Sequence, residues 1–129
     1  MTRAGELMAP DSNARRRVLL VEDEALIALE LEATLDAAGF DVVEHAATLA
    51  AAIGAAESAV IDAAVLDVSL ARQQVWPAAK ILLDRGIPIL FLTGFASQTF
   101  PPPFDTIPKL EKPCPPEVLV ARLTALFAP

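Results

Sequence analysis

Short apolar runs alternate along the chain with segments whose apolar residues recur every three or four positions. Residues 18–21, 63–66 and 88–92 are continuous apolar runs, too short for helices and typical of strands buried on both faces. A shorter strand is predicted over residues 41–45, and a weaker one over residues 107–110. The pattern therefore predicts five strands.

The segments between and after these strands predict helices. Their expected bounds are residues 25–38, 48–57, 75–84 and, for the last helix, 115–127. Thr48 is predicted to cap the start of the second helix, and Gly39 and Gly86 to close the first and third. After residue 96 the pattern weakens. The three prolines at 101–103 cannot continue a helix, so a fourth helix is expected to be short or mobile.

Strands that alternate with helices predict an α/β fold, a parallel sheet with helices on both faces. For five strands the natural arrangement is a doubly wound sheet in the order 2-1-3-4-5, as in flavodoxin-like proteins. This order places the fifth strand at an edge of the sheet. Pro108 fits there, because proline cannot donate a hydrogen bond to a neighbouring strand.

Length and composition narrow the class of protein. The 129 residues allow one domain, and we expect a flexible N-terminal tail over residues 1–16 and a single domain over residues 17–129. Apolar residues make up 54% of the chain, which excludes a disordered protein. The single cysteine, Cys114, excludes an internal disulfide and suits a reducing compartment. No apolar run approaches the roughly 18 residues of a membrane span, and no signal peptide is evident, so we expect a cytoplasmic protein.

Charge argues against nucleic acid as a partner. The net charge is −7, and residues 18–129 alone carry six basic and fifteen acidic side chains. Binding to nucleic acid depends on basic side chains that neutralise phosphates. We therefore expect neither nucleic acid nor a membrane surface among the partners.

Polar residues with a common chemistry follow the predicted strands. Residues 22–24 (Glu-Asp-Glu) follow the first strand, Asp67 the third, Thr93 the fourth and Lys112 the fifth. Proteins built on such sheets bind their ligands beyond the carboxyl ends of the strands. Clustered carboxylates suit Mg²⁺, and a carboxylate beside Mg²⁺ can attack phosphorus to form an aspartyl phosphate. A hydroxyl and an ammonium group then supply donors to the phosphoryl oxygens.

Each of these residues also has an ordinary explanation. The acids at 22–24 could simply favour the dipole of the following helix, and Asp67 could cap a strand end. Thr93 could belong to a turn, and Lys112 could be a solvated surface charge. His45 is interpreted as a surface residue, and Cys114 as a half-buried spacer. Only the combination at one edge of the sheet favours a phosphoryl-transfer site.

Together these motifs resemble response-regulator receiver domains of two-component signalling. The resemblance rests on four motifs: residues 18–24, Leu66-Asp67, Thr93-Gly94 and Lys112-Pro113. It covers residues 17–127, with no output domain expected after them. Residues 88–95 further resemble the FATGUY group of stand-alone receivers, although Ile89 and Leu92 replace a Phe and an Ala, and Phe95 replaces the final tyrosine-like aromatic.

The resemblance implies a metal site and a phosphorylation site. Asp67 would be the phosphoacceptor. Asp23 would bind Mg²⁺ directly, with Mn²⁺ as a possible substitute. Glu22 would act nearby or through water. The backbone carbonyl of Ser69 would be a further metal ligand. Thr93 would contact the phosphoryl group.

Lys112 would pair with the phosphoryl group, and the Lys112-Pro113 peptide is often cis in the family. Receivers usually carry Tyr or Phe three residues before this lysine, and its rotation reports phosphorylation. Lys109 occupies that position here, and the chain has no tyrosine. We hypothesise that another aromatic takes over part of the role. The candidates are Phe91, Phe95 and Phe100.

The function that follows is a stand-alone response regulator. It would take a phosphoryl group from a histidine kinase or histidine phosphotransfer protein on Asp67 with Mg²⁺, and signal by protein contact or drain phosphate from a shared kinase. It would catalyse only its own phosphorylation and dephosphorylation. The alternative is a pseudo-receiver that binds proteins without phosphorylation. An aspartate-nucleophile phosphatase fits poorly, because such enzymes need a second acid where Ser69 stands.

Overall fold

A computed structural model describes residues 15–94 and 99–128 of the chain. The elements in chain order are β1 (Arg16–Val21), α1 (Ala25–Ala37), β2 (Phe40–Ala46), α2 (Leu49–Ser58), β3 (Ala63–Asp67), β4 (Ser69–Leu70), β5 (Gln73–Gln74), α3 (Trp76–Asp84), β6 (Ile89–Thr93), a 3-10 helix (Phe104–Thr106), β7 (Lys109–Glu111) and α4 (Pro116–Ala125). None of the helices in these two ranges is long and apolar enough to cross a membrane.

The main sheet has five strands in the order β2-β1-β3-β6-β7, and every neighbouring pair is parallel. This is the predicted 2-1-3-4-5 order, so the doubly wound α/β fold is confirmed. Buried residues of α1 and α4 pack against one face of the sheet, and those of α2 and α3 against the other. The central strand β3 is buried along its whole length, which explains its continuous apolar run.

The predicted helix ends are confirmed by local geometry. The hydroxyl of Thr48 accepts a hydrogen bond from the N–H of Ala51 at 3.1 Å, which caps α2. Gly39 and Gly86 have φ values of +93° and +73°, a left-handed conformation that glycine adopts without the penalty of a side chain. Among the strands, the largest boundary errors are two residues: β1 begins at Arg16 rather than at residue 18, and β7 begins at Lys109 rather than at residue 107.

Two segments differ from the simple alternation of strands and helices. Between β6 and β7, the described residues contain only the three-residue 3-10 helix, so residues 99–108 hold no α-helix. Residues 95–98 lie outside the described ranges. Residues 1–14 of the expected tail also lie outside them, whereas Arg16 already belongs to β1.

The sequence prediction missed a small hairpin between β3 and α3. Its strands, β4 and β5, pair antiparallel, and the turn between them consists of Ala71 and Arg72. Both turn residues have positive φ, +47° and +73°. Such two-residue turns usually carry glycine or asparagine, so the composition of this segment did not indicate a hairpin.

Candidate functional site

A cleft of about 540 Å³ lies at the carboxyl ends of β1, β3 and β6. Five of the residues that line it are Asp23, Asp67, Ser69, Thr93 and Lys112. Asp23, Asp67, Thr93 and Lys112 come from the ends of β1, β3, β6 and β7, which the parallel sheet brings to one edge, beside the point where strand order reverses. Ser69 comes from β4, directly after β3. The structure thus brings these predicted residues together.

Three carboxylates lie together at this edge of the sheet, two of them lining the cleft and one buried beneath it. Glu22, Asp23 and Asp67 each offer an oxygen, and the three oxygens lie within 4.8 Å of one another. Glu22 is fully buried, Asp67 is 5% exposed, and Asp23 lies nearer the surface. Like charges this close repel one another unless a cation joins them. Oxygen ligands of this kind suit a hard divalent ion, so the residues present fit Mg²⁺.

In the described part of the chain, Lys112 is the cation that pairs directly with two of these acids. Its Nζ lies 3.0 Å from Oδ2 of Asp67 and 3.3 Å from Oε1 of Glu22. Its backbone N–H donates to the carbonyl of Thr93 at 2.7 Å, which fixes the start of the lysine at the sheet edge. The Lys112-Pro113 peptide is cis. Burial opposes the charge on Lys112, but the hydrogen bond and charge of Asp67, with Glu22, hold its pKa above the ordinary value.

The surroundings of Glu22 disfavour the ionised form of its carboxyl group. Burial raises the pKa of its carboxyl, and the negative charge of Asp67 adds to that rise. The N–H of Glu24, which donates to Oε2 of Glu22 at 3.1 Å, and the ammonium of Lys112 offset part of it. The ionised form of Glu22 therefore costs stability in the folded protein without a metal.

We expect the substitution Glu22→Gln to raise the free energy of unfolding at neutral pH in the absence of Mg²⁺. A carboxyl whose pKa is raised by folding binds more protons when folded, so its contribution to stability falls as pH rises from its ordinary value of 4.5 through the raised value. The gain of the variant over the wild type should shrink as pH falls below that window. Urea unfolding at several pH values measures it.

The exposed Glu57 on α2 supplies a matched control. Glu57→Gln should leave the pH dependence of unfolding unchanged. A Glu22→Gln variant that is less stable than the wild type at neutral pH would show that the pair with Lys112 outweighs the cost of burial.

Backbone groups of the missed hairpin also contact the acids. The N–H of Ala71 donates to Oδ2 of Asp23 at 3.0 Å, and the N–H of Ser69 donates to Oδ1 of Asp67 at 3.3 Å. His45 is exposed, as predicted, but its Nε2 donates to the carbonyl oxygen of Glu22 at 2.9 Å. These contacts orient the acids. None of them corresponds to a sequence motif, so they could not be predicted from the sequence.

The usual switch aromatic is absent, and an aromatic cluster lies nearby. Trp76 stacks on Phe104 with ring centroids 5.0 Å apart, and contacts Phe91 and Phe100 edge-on at 5.6 and 5.2 Å. The Nζ of Lys109 lies 4.4 Å from the centre of the Phe100 ring. Two of the candidates for the switch role therefore belong to one cluster. The third, Phe95, lies outside the described residues.

Trp76 connects this cluster to the cleft. Its indole N–H donates to the side-chain oxygen of Gln74 at 2.7 Å, and Gln74 lines the cleft. A single tryptophan at the start of a helix has no distinctive spacing, so the position of Trp76 beside the site could not be predicted from the sequence.

Solved structures with the same fold are plentiful. The structure of SdrG from Sphingomonas melonis is 36% identical, with a TM-score of 0.76 over 88% of this chain and 98% of that chain. A response regulator receiver protein from Sinorhizobium medicae is 29% identical, with a TM-score of 0.74 over 89% of this chain and 96% of that chain. The receiver domain of the sensor histidine kinase PA1611 from Pseudomonas aeruginosa is 26% identical, with a TM-score of 0.74 over 88% and 98%. It has a magnesium ion coordinated in its active-site cleft.

Among curated proteins, the transcriptional regulatory protein PdtaR of Mycobacterium tuberculosis is 35% identical over 89 residues, 68% of this chain. The chain spans only 43% of the length of that relative. No protein-family model matches the chain.

Proposed function

Because the chain belongs to the response-regulator receiver family, we propose that it accepts a phosphoryl group on Asp67 from a histidine kinase or a histidine phosphotransfer protein. The observation that carries the proposal is the contact between Asp67 and Lys112 at 3.0 Å within a group of three neighbouring carboxylates. An ordinary strand-end acid has no need of a half-buried lysine and two further acids around it.

The proposed step is an in-line transfer. An oxygen of Asp67 forms a bond to phosphorus while the bond from phosphorus to the donor imidazole breaks, and the imidazole nitrogen keeps the electron pair and takes a proton from water. The product is an acyl phosphate. Lys112 then moves from pairing with a carboxylate to pairing with phosphoryl oxygens, and the hydroxyl of Thr93 donates to them.

The residues that would hold Mg²⁺ or Mn²⁺ are Asp23, Asp67 and the backbone carbonyl of Ser69, with Glu22 nearby or acting through water. When bound, the ion neutralises charge on the phosphoryl oxygens during transfer. The acidic donor set and the magnesium ion in the PA1611 receiver domain support this assignment.

The proposed output is contact with another protein, or drainage of phosphate from a shared kinase. We further propose that the protein works in the cytoplasm and that its only catalysis is its own phosphorylation and dephosphorylation. The receiver fold supports a role in signalling, because the similar structure from Sinorhizobium medicae is a response regulator receiver protein. The alternative, a binding module that is never phosphorylated, keeps the same fold and differs only in the chemistry of Asp67.

The decisive experiment is labelling of the wild-type protein by acetyl phosphate. With Mg²⁺, intact mass spectrometry should show the addition of one phosphoryl group that acid removes, and an excess of EDTA should prevent it. Absence of any adduct from acetyl phosphate and from a histidine-kinase donor would favour the unphosphorylated binding module. Turnover of phosphoesters would favour an enzyme.

A further inference from the structure

The turn of the small hairpin places a second cation at the acidic cleft. Arg72 lines the cleft together with Asp23, Asp67 and Lys112. Its guanidinium makes no hydrogen bond or ion pair to another residue within the ranges 15–94 and 99–128. Arg15, Arg17 and Arg85, by contrast, each engage a partner. Arg72 is therefore a cation beside clustered carboxylates that pairs with none of them in the described ranges.

The backbone holds Arg72 at this place. Ser69 pairs with Gln74 and Leu70 with Gln73, so the chain reverses through Ala71 and Arg72 alone. Leu70 is buried and anchors one leg of the hairpin. The N–H of Ala71 donates to Asp23 and ties the turn to the cleft. Both turn residues keep positive φ although neither is glycine, a strained conformation that clusters at functional sites.

The negative charge of the cleft repels an anionic phosphoryl donor, and a cation at this position offsets that repulsion. The cleft carries Asp23, Glu24 and Asp67 on a body of strong negative charge, and a phosphoryl donor is itself an anion. Lys112 is already engaged by two carboxylates before the donor arrives. An unengaged guanidinium can bind phosphoryl oxygens in a bidentate way and offset the repulsion.

We propose that Arg72 binds the phosphoryl group of the incoming donor and makes the site favour dianionic over monoanionic phosphoryl donors. The inference rests on the proposed function, since it names the substrate class of that same site. For acetyl phosphate, an oxygen of Asp67 bonds to phosphorus, the bond from phosphorus to the acetyl oxygen breaks, and acetate leaves with the electron pair.

The test compares two donors on the full chain in the presence of Mg²⁺. Acetyl phosphate is a dianion at neutral pH, and phosphoramidate is a monoanion. Arg72→Ala should slow labelling of Asp67 by acetyl phosphate about three- to tenfold, and labelling by phosphoramidate by less. Arg72→Lys should restore part of the rate. Arg72→Gly removes the side chain and suits the positive φ of the turn. It should slow labelling by acetyl phosphate as much as Arg72→Ala does, which would assign the loss to the side chain and not to a change in the turn.

Arg122 on α4 is an exposed arginine that does not line the cleft, and Arg122→Ala removes the same charge. That variant should label at the wild-type rate. Equal slowing with both donors, or equal slowing by Arg122→Ala, would overturn the role of Arg72. Wild-type protein that takes no phosphoryl group from either donor would overturn the proposed function itself, and the role of Arg72 with it.

Discussion

Asp67→Asn is expected to abolish phosphoryl labelling completely. An amide cannot form an acyl phosphate. Glu22 and Asp23 follow β1, so neither of them replaces the carboxylate at the end of the central strand β3. The variant should still fold, because Lys112 keeps its contact with Glu22 and one repulsive charge is removed. Intact mass spectrometry after incubation with acetyl phosphate and Mg²⁺ measures the loss, and circular dichroism checks the fold.

Asp84→Asn is the matched control for this change. Asp84 is an exposed acid at the end of α3 that pairs with Lys80 one turn earlier. Its variant should be labelled as the wild type is. If Asp67→Asn were labelled as fast as the wild type, another residue would be the phosphoacceptor and the central assignment would be wrong.

Lys112→Ala is expected to slow phosphorylation by about a hundredfold, the usual effect of removing one charged donor from a transition state. The same change should leave Mg²⁺ binding as tight as in the wild type or tighter. The reason is that the ammonium competes with a metal for Asp67 and Glu22. Labelling rates at saturating Mg²⁺ and calorimetric titration of the metal measure the two effects separately.

Lys112→Arg tests the geometry of the contact. Arginine keeps the charge, but its planar fork does not reproduce a compact ammonium, so an intermediate rate is expected. A general loss of structure in Lys112→Ala would weaken metal binding along with labelling. That joint loss is the result that would contradict a direct role for the lysine at the phosphoryl group.

The fold was predictable because its signals are local and repeated. The apolar runs that became β1, β3 and β6 are buried on both faces, and a strand of that kind has no polar side to confuse its pattern. The start of the edge strand β7 was predicted two residues too early, and its end one residue too early. It has only three residues, and a short edge strand depends on its neighbour more than on its own sequence.

The site was predictable as far as its residues end strands. Glu22, Asp23, Asp67, Thr93 and Lys112 all follow predicted strands, and the topology brings them to one edge. Their roles stay predictions until labelling is done. The contributions of Ala71 and Arg72 were not predictable, because a two-residue turn without glycine gives no compositional signal and depends on tertiary contacts such as the bond to Asp23.

The replacement of the usual switch aromatic by Lys109 shows a second limit of prediction from the sequence. From the sequence, Lys109 only indicates that the usual rotation of an aromatic cannot occur there. Its contact with Phe100, and the packing of that ring on Trp76, depend on residues far apart in the chain. Side-chain clusters built from distant segments have no period, and patterns of spacing cannot reveal them.

The two borders of the sheet have a consequence for behaviour in concentrated solution. An open sheet exposes unpaired backbone groups at its outer strands, which can template fibrils. Here β7 is only three residues long and follows Pro108, while the opposite outer strand β2 carries Asp41 and Glu44 at exposed positions. Short length, proline and charge are the features by which natural sheets discourage strand-to-strand aggregation, and both borders of this sheet carry at least one of them.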